Sequence, residues 1–240
     1  MAENIYLGNP NLKKANTAVE FTAEQIQEFI KCKDDPIYFA RTYIKIVNVD
    51  EGLVGFDMWP FQEKLIARFH ENRFNICMMP RQTGKSTTSV SYLLHYAIFN
   101  DNVNIGILAN KAATARDLLG RLQIAYENLP KWMQQGILTW NKGSLELENG
   151  SKIMAASTSA AAVRGMTFNI IFLDEFAFVP NHIADDFFSS VYPTISSGQS
   201  TKIIIVSTPK GMNHFYRMWH DAENGESDYV PTAVHWSEVP

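Results

Sequence analysis

The chain has 240 residues, 46% hydrophobic and 19% charged, with a formal net charge of −4 at pH 7. That composition excludes wholesale disorder and a protein coated in positive charge, although a local basic track for nucleic acid stays possible. No apolar run approaches the ~18 residues of a membrane span, the acidic start Met1-Ala2-Glu3-Asn4 is unlike a secretory leader, and the two cysteines, Cys32 and Cys77, lack metal-ligand spacing and read as reduced thiols.

Residues 1–20 are polar and weakly patterned, and read as a loosely packed lead-in. A helix should begin after Thr22, with Gln25 completing a capping box and Ile26, Phe29 and Ile30 forming one apolar face. Pro36 ends that helix or opens the next, which carries Tyr38, Phe39 and Tyr43. Gly52 and Gly55 mark a turn-rich stretch. Trp59-Pro60-Phe61-Gln62 supports two readings: a helix start with proline in its first turn, or an amide at Gln62 that reads an adenine edge beside an aromatic ring.

From there strands and helices alternate. Asn75–Met79 is an apolar strand, followed by a helix through Val90, Leu93, Leu94 and Ala97. Asn104–Ala109 is a second strand, and Leu118, Leu122, Ala125 and Leu129 mark the helix after it, closed by Pro130. Residues 145–154 read as a hairpin with Asn149-Gly150 in a type I′ turn. Ile170–Leu173 and Lys202–Val206 are continuous apolar runs, as in a parallel sheet covered on both faces, with a helix around Ile183–Val191 between them. Strands alternating with helices point to one wound α/β domain with a mostly parallel sheet flanked by helices. Residues 1–55 form the arm and helical lead-in, and 56–240 the core.

Between the first core strand and its helix lies Pro80-Arg81-Gln82-Thr83-Gly84-Lys85-Ser86, followed by Thr87. A phosphate loop reads GxxxxGK[ST]; here Gly84-Lys85-Ser86 fits, whereas Met79 stands at the first glycine position. Gly84 lets the backbone approach phosphates, and in the stretch Pro80–Thr87 the N–H groups of the loop and helix start, which begin at Arg81, face the anion. Lys85 reaches the β- and γ-phosphates of ATP, and Ser86 ligands Mg²⁺. Arg81 is a second cation for the γ-phosphate or its transition state, or else a surface arginine. Asp174 and Glu175 end an apolar strand, where ligands bind in open parallel sheets. Asp174 then holds magnesium, and Glu175 orients or deprotonates the attacking water. Ser207-Thr208-Pro209 ends the next strand, either as a γ-phosphate sensor or as an ordinary turn.

Taken in order, Trp-Pro-Phe-Gln, Pro-Arg-Gln-Thr-Gly-Lys-Ser, Val163-Arg164-Gly165, Leu-Asp-Glu-Phe-Ala-Phe-Val-Pro and Ser-Thr-Pro-Lys-Gly resemble the ATPase domain of the large terminase subunit of tailed bacteriophages, from about Phe56 onward. The absent first glycine and the Arg-Gln inside the loop are part of that resemblance. It implies an ATP-driven motor that packages double-stranded DNA into a capsid in the host cytoplasm, away from any membrane. Its partners would be the portal protein, the small terminase subunit and further copies in a ring, usually a pentamer. Gln62 would match the adenine-sensing glutamine, Arg81 the loop arginine, and Ser207, Thr208 and Pro209 the motif coupling hydrolysis to movement. Arg164 would be either an arginine finger or a structural arginine. The nuclease domain of such proteins is expected to be absent from this chain, so no DNA cleavage is expected of it. A superfamily 2 helicase-like ATPase is the alternative, and it would need a second lobe.

Overall fold

The computed structural model describes residues 4–159, 163, 165–196 and 198–239. Its centre is an eight-stranded sheet in the order β12-β5-β11-β10-β6-β9-β8-β7. The strands are β5 (Phe74–Met78), β6 (Asn104–Ala109), β7 (Ile137–Trp140), β8 (Ser144–Leu147), β9 (Lys152–Ser157), β10 (Ile170–Asp174), β11 (Lys202–Ser207) and β12 (Val230–Ala233). The run from β12 to β9 is parallel, and β8 and β7 extend it antiparallel. All five residues of β10 are buried, as expected for a strand covered on both faces.

One face carries α3 (Pro60–Glu71), α4 (Lys85–Phe99) and α5 (Ala112–Glu127) over a core that includes Phe69, Leu93, Leu122 and Phe172. The other carries α6 (Asn181–Ser196) and α7 (His214–Glu223) over Ile76, Leu173, Ile205 and Trp219. The register pairs Asp174 with Val206 and Ser207 with Met78, so β5, β11 and β10 finish along one edge of the sheet.

The lead-in departs from expectation. Residues Ile5–Tyr6 (β1) and Asn9–Lys13 (β2) form a two-stranded ribbon rather than a loose arm. Leu12 is buried, and Lys13 pairs with Glu148 at 2.9 Å. Buried Leu12, the Lys13–Glu148 ion pair and hydrogen bonds to Glu127 and Gln134 anchor this ribbon, all of them partners far along the chain that periodicity cannot register. Helix α1 (Ala23–Asp34) has the expected cap: Gln25 N–H donates to Thr22 Oγ1 at 3.2 Å, and Thr22 N–H donates back to Gln25 Oε1 at 3.1 Å. Its apolar face is only partly covered, with Ile26 and Ile30 about half exposed at 50% and 52%. Asp35 caps α2 (Pro36–Tyr43), and α2 packs on α3 and α4.

The turn-rich stretch around Gly52 is a hairpin, β3 (Lys45–Asn48) with β4 (Gly52–Gly55). The turn between β8 and β9 is not type I′. Of its Asn149-Gly150 pair only Gly150 has positive φ, 81°, and its N–H donates to Leu147 O at 3.0 Å. That is a type I turn closed by a left-handed glycine. Asn149 Nδ2 donates to Ala97 O at 2.9 Å and Asn100 O at 3.1 Å, which ties the turn to the end of α4. Serving those carbonyls sets its backbone.

Candidate functional site: the edge where the loop meets the acidic strand

The loop leaves β5 at Met79. Met79 is 1% exposed, and its N–H donates to Ser207 O at 3.0 Å, so this position is still sheet and core rather than phosphate cradle. A glycine there would leave a void in the core, which accounts for the departure from the general motif. The chain then turns through Gln82 (φ 61°) and Gly84 (φ 68°) into α4. Thr83 Oγ1 donates to Pro80 O at 3.1 Å and closes the loop on itself.

Gln62 holds that loop from below. Its Nε2 donates to Thr83 O at 3.1 Å, and its Oε1 accepts from Trp59 N–H at 3.0 Å at the start of α3. It is 3% exposed. A Cβ added at Gly84 would lie 2.5 Å from Gln62 Nε2. The glycine is therefore needed for close packing as well as for its backbone angle. The helix-start reading of Trp59-Pro60 holds, since Pro60 is the first residue of α3.

Strand order decides which groups meet. Strand β11 lies between β5 and β10, so the end of β11 sits between the loop and the acidic pair. Ser86 Oγ donates to Asp174 Oδ1 at 3.3 Å. Lys85 Nζ pairs with Glu175 Oε1 at 2.8 Å. Glu175 Oε2 accepts from Thr208 Oγ1 at 2.7 Å and from Thr208 N–H at 3.1 Å. Glu175 adopts φ 50°, a left-handed backbone that aims its carboxylate back over β11. Such strain in a non-glycine residue persists only where the surroundings enforce it, and the bonds from Lys85 and Thr208 do so here. Ser207 Oγ accepts from Ala177 N–H at 3.0 Å and fastens the turn after Glu175 to β11.

Burial, and then the Glu175 charge beside it, push the Asp174 carboxyl up to about 6, against the pull of Lys85, Ser86 and Arg121. Burial also raises Glu175, but the Lys85 ion pair and the Thr208 hydrogen bonds outweigh it and hold this carboxyl below the ordinary range. A buried carboxylate, a second carboxylate next to it and a hydroxyl within 3.3 Å make a hard oxygen set. That set fits a small divalent cation such as Mg²⁺, whose charge would offset the crowding of the two acids.

Arg81 is exposed and stands between two clefts. The first, 360 Å³, is also lined by Asn110, Lys111, Thr114, Glu175 and Phe178. The second, 500 Å³, runs from Pro80 past Thr208 and Pro209 to Trp236. Arg164 lies outside the described residues. Sequence reasoning missed Asn110 and Lys111. They follow the C-terminal end of β6 just as Asp174 and Glu175 follow β10, so the rule that ligands gather at such strand ends could have found them. It also missed Arg121 on α5, whose charge reaches Asp174.

A Gly-Lys-Ser loop between a central parallel strand and a helix, facing paired acids across one intervening strand, defines a P-loop NTPase domain of the RecA/ASCE-like class. The family model described as terminase large subunit, T4likevirus-type, N-terminal matches residues 76–238, and the chain belongs to that family. Similar solved structures include the HK97 bacteriophage large terminase, at 18% identity over 84% of this chain and 43% of that one, with a TM-score of 0.70. The Thermus phage P74-26 large terminase ATPase domain matches at 20% identity over 72% of this chain and 81% of that one, TM-score 0.60. The large terminase of a thermophilic bacteriophage, in complex with ADP, matches at 16% identity over 75% of this chain and 46% of that one, TM-score 0.58. At these identities the likeness is one of fold. The chain spans less than half the length of the HK97 protein and of the ADP-bound thermophilic phage protein. The helicase-like alternative gains no support from these matches.

Proposed function

We propose that this chain is the ATPase engine of a DNA-packaging motor, hydrolysing ATP to drive double-stranded viral DNA into a capsid. Membership of the terminase family supports the packaging reading. The observation that carries the chemistry is the pair of contacts joining loop to acidic strand, Lys85–Glu175 at 2.8 Å and Ser86–Asp174 at 3.3 Å. In this reading the portal protein, the small terminase subunit and a ring of further copies are the partners, in the host cytoplasm. Arg164, or Arg81 at its exposed position, is the arginine that meets the γ-phosphate.

The loop from Pro80 to Thr87 receives the triphosphate on its N–H groups and on the start of α4, with Gln62 keeping the loop in shape and Gln82 and Thr83 setting its turn. Ser86 and Asp174 would hold Mg²⁺, which when bound neutralises charge on the β- and γ-phosphates. Lys85 is the switchable element. Its ammonium faces Glu175 Oε1, and the β- and γ-phosphates compete for the same ammonium. Drawing Lys85 to the phosphates frees Oε1 to accept a proton from water, while Thr208 keeps Oε2 fixed. Water attacks the γ-phosphorus, its proton passes to Glu175, and the bond to the β–γ bridging oxygen breaks to release ADP. Glu175 is held by Thr208 at the end of β11, so a change at the carboxylate is felt by Ser207-Thr208-Pro209. That is the route proposed for coupling.

Glu175→Gln tests the base. ATP affinity should be retained, and turnover should fall by about 10²–10⁴-fold. Turnover at the wild-type rate would remove Glu175 from the role. Lys85→Ala should lose nucleotide binding, measured with a non-hydrolysable analogue and Mg²⁺; unchanged affinity would remove the loop assignment.

A further inference from the structure

The bonds from Lys85 and Thr208 hold the Glu175 carboxylate, but a carboxylate is aimed by its backbone as well. That backbone is left-handed at φ 50° and runs directly into a single 3₁₀ turn, Phe176–Phe178. The segment that follows β11 grips every residue of the turn. Ala177 N–H donates to Ser207 Oγ at 3.0 Å, and its carbonyl accepts from Asn213 Nδ2 at 2.6 Å. Phe176 is buried, and its ring meets the His214 ring edge-on at 5.9 Å. Lys210 Nζ lies 4.7 Å from the centre of the Phe178 ring.

Asn213 uses both ends of its amide. Its Oδ1 accepts from Tyr216 N–H at 3.1 Å, an ordinary cap for α7. Its Nδ2 donates to Lys210 O at 3.0 Å as well as to Ala177 O. Serine or aspartate would cap the helix equally well. Neither replaces the donor, because aspartate has none and the serine hydroxyl stops one bond short. The Nδ2 bond to Ala177 is therefore something the helix end does not need. Resting on the ATP reading above, we propose that Asn213 is a positioning residue for hydrolysis: it clamps the Ala177 carbonyl, fixes the turn after Glu175 and so keeps the carboxylate aimed at the attacking water. Without the clamp the turn pivots on Ser207, and a misplacement of about 1 Å costs about 10²-fold in rate. The phosphate loop is held from α3 and α4, so ATP affinity does not depend on the clamp.

The test measures ATP turnover, affinity for a non-hydrolysable ATP analogue with Mg²⁺, and melting temperature, all on the whole chain. Asn213→Ser and Asn213→Asp keep the α7 cap and remove the clamp. In both, kcat should fall about 10–100-fold, with KM and analogue affinity within about twofold of wild type. Asn181→Ala is the control for a loosened α7, since Asn181 Oδ1 accepts from His214 N–H at 3.0 Å and makes no bond to Ala177. It should lower the melting temperature and leave kcat unchanged. Because Asn213 acts through the carboxylate, Asn213→Ser should lower the single-turnover rate no further once Glu175→Gln is in place. Wild-type kcat in both Asn213 variants would overturn the proposal. So would an equal fall of kcat in Asn181→Ala, which would make the effect one of α7 stability, or full multiplication of the Asn213→Ser and Glu175→Gln losses. A wild-type chain that fails to bind the analogue or to turn over ATP would overturn the ATP reading as well, whereas normal wild-type turnover with unaffected Asn213 variants overturns this one alone.

Discussion

Gly84→Ala is the sharpest probe of how the phosphate loop is built. The backbone at Gly84 has φ 68°, and holding an L-residue there costs about 1–2 kcal/mol. The new Cβ would lie 2.5 Å from Gln62 Nε2, so the amide must leave. It would give up its bonds to Thr83 O and Trp59 N–H, worth about 1 kcal/mol each. The expected destabilisation is about 3–4 kcal/mol, or a melting temperature lower by roughly 6–15 °C for a chain of this size. The decisive measurement is a double-mutant cycle read by urea unfolding. With Gln62→Ala in the background the amide is gone, and Gly84→Ala should cost only the backbone share of about 1–2 kcal/mol. The same penalty in both backgrounds would refute the claim that Gly84 is small to make room for Gln62. Full stability of Gly84→Ala would refute the loop geometry altogether.

Thr208→Val removes the 2.7 Å hydroxyl bond to Glu175 but leaves the backbone N–H bond, so turnover should fall about tenfold with ATP-analogue affinity retained; a parallel loss of affinity would mean that Thr208 shapes the loop instead. Acid stability should report His95, which donates from Nε2 to Cys32 O at 2.8 Å and whose buried Nδ1 has no hydrogen-bond partner among the described residues. Burial holds its imidazole down at about 4, below its ordinary value. The unfolded chain therefore binds the extra proton first as pH falls. The His95 contribution is complete above about pH 6.5 and is lost toward pH 4, by about 3 kcal/mol. Urea midpoints measured across that window should flatten in His95→Phe, and an unchanged slope would exclude His95 as the cause. Glu148→Gln weakens a carboxylate shared by Lys13, Gly136 N–H and Asn16 N–H, and should cost about 2 kcal/mol and speed proteolysis ahead of α1; unchanged cleavage kinetics would show that Leu12 and the bonds to Glu127 and Gln134 hold the ribbon without it.

Much of the site was legible because its chemistry is local. A loop that turns through a left-handed backbone into a helix needs Gly84, and a strand that delivers acids to a sheet edge reads as four apolar residues followed by Asp174 and Glu175. The Thr22 capping box was legible for the same reason, since its partners are three residues apart. The β1–β2 ribbon was not, because its partners Glu127, Gln134 and Glu148 lie far along the chain. The β8–β9 turn misled because Asn-Gly favours type I′ only while the asparagine is free, and here Asn149 is committed to the end of α4.

The sequence by itself determined the class of the domain, the loop and the acidic pair, since each is written within a few consecutive residues. Only the tertiary structure decided that β11 enters between β5 and β10, because β10 and β11 carry the same kind of apolar run and nothing local orders them. That one placement brings Thr208 onto Glu175 and Lys85 across to it. It also shows why Met79 replaces the first glycine: its N–H belongs to Ser207 on β11, and its side chain fills the core beneath the loop.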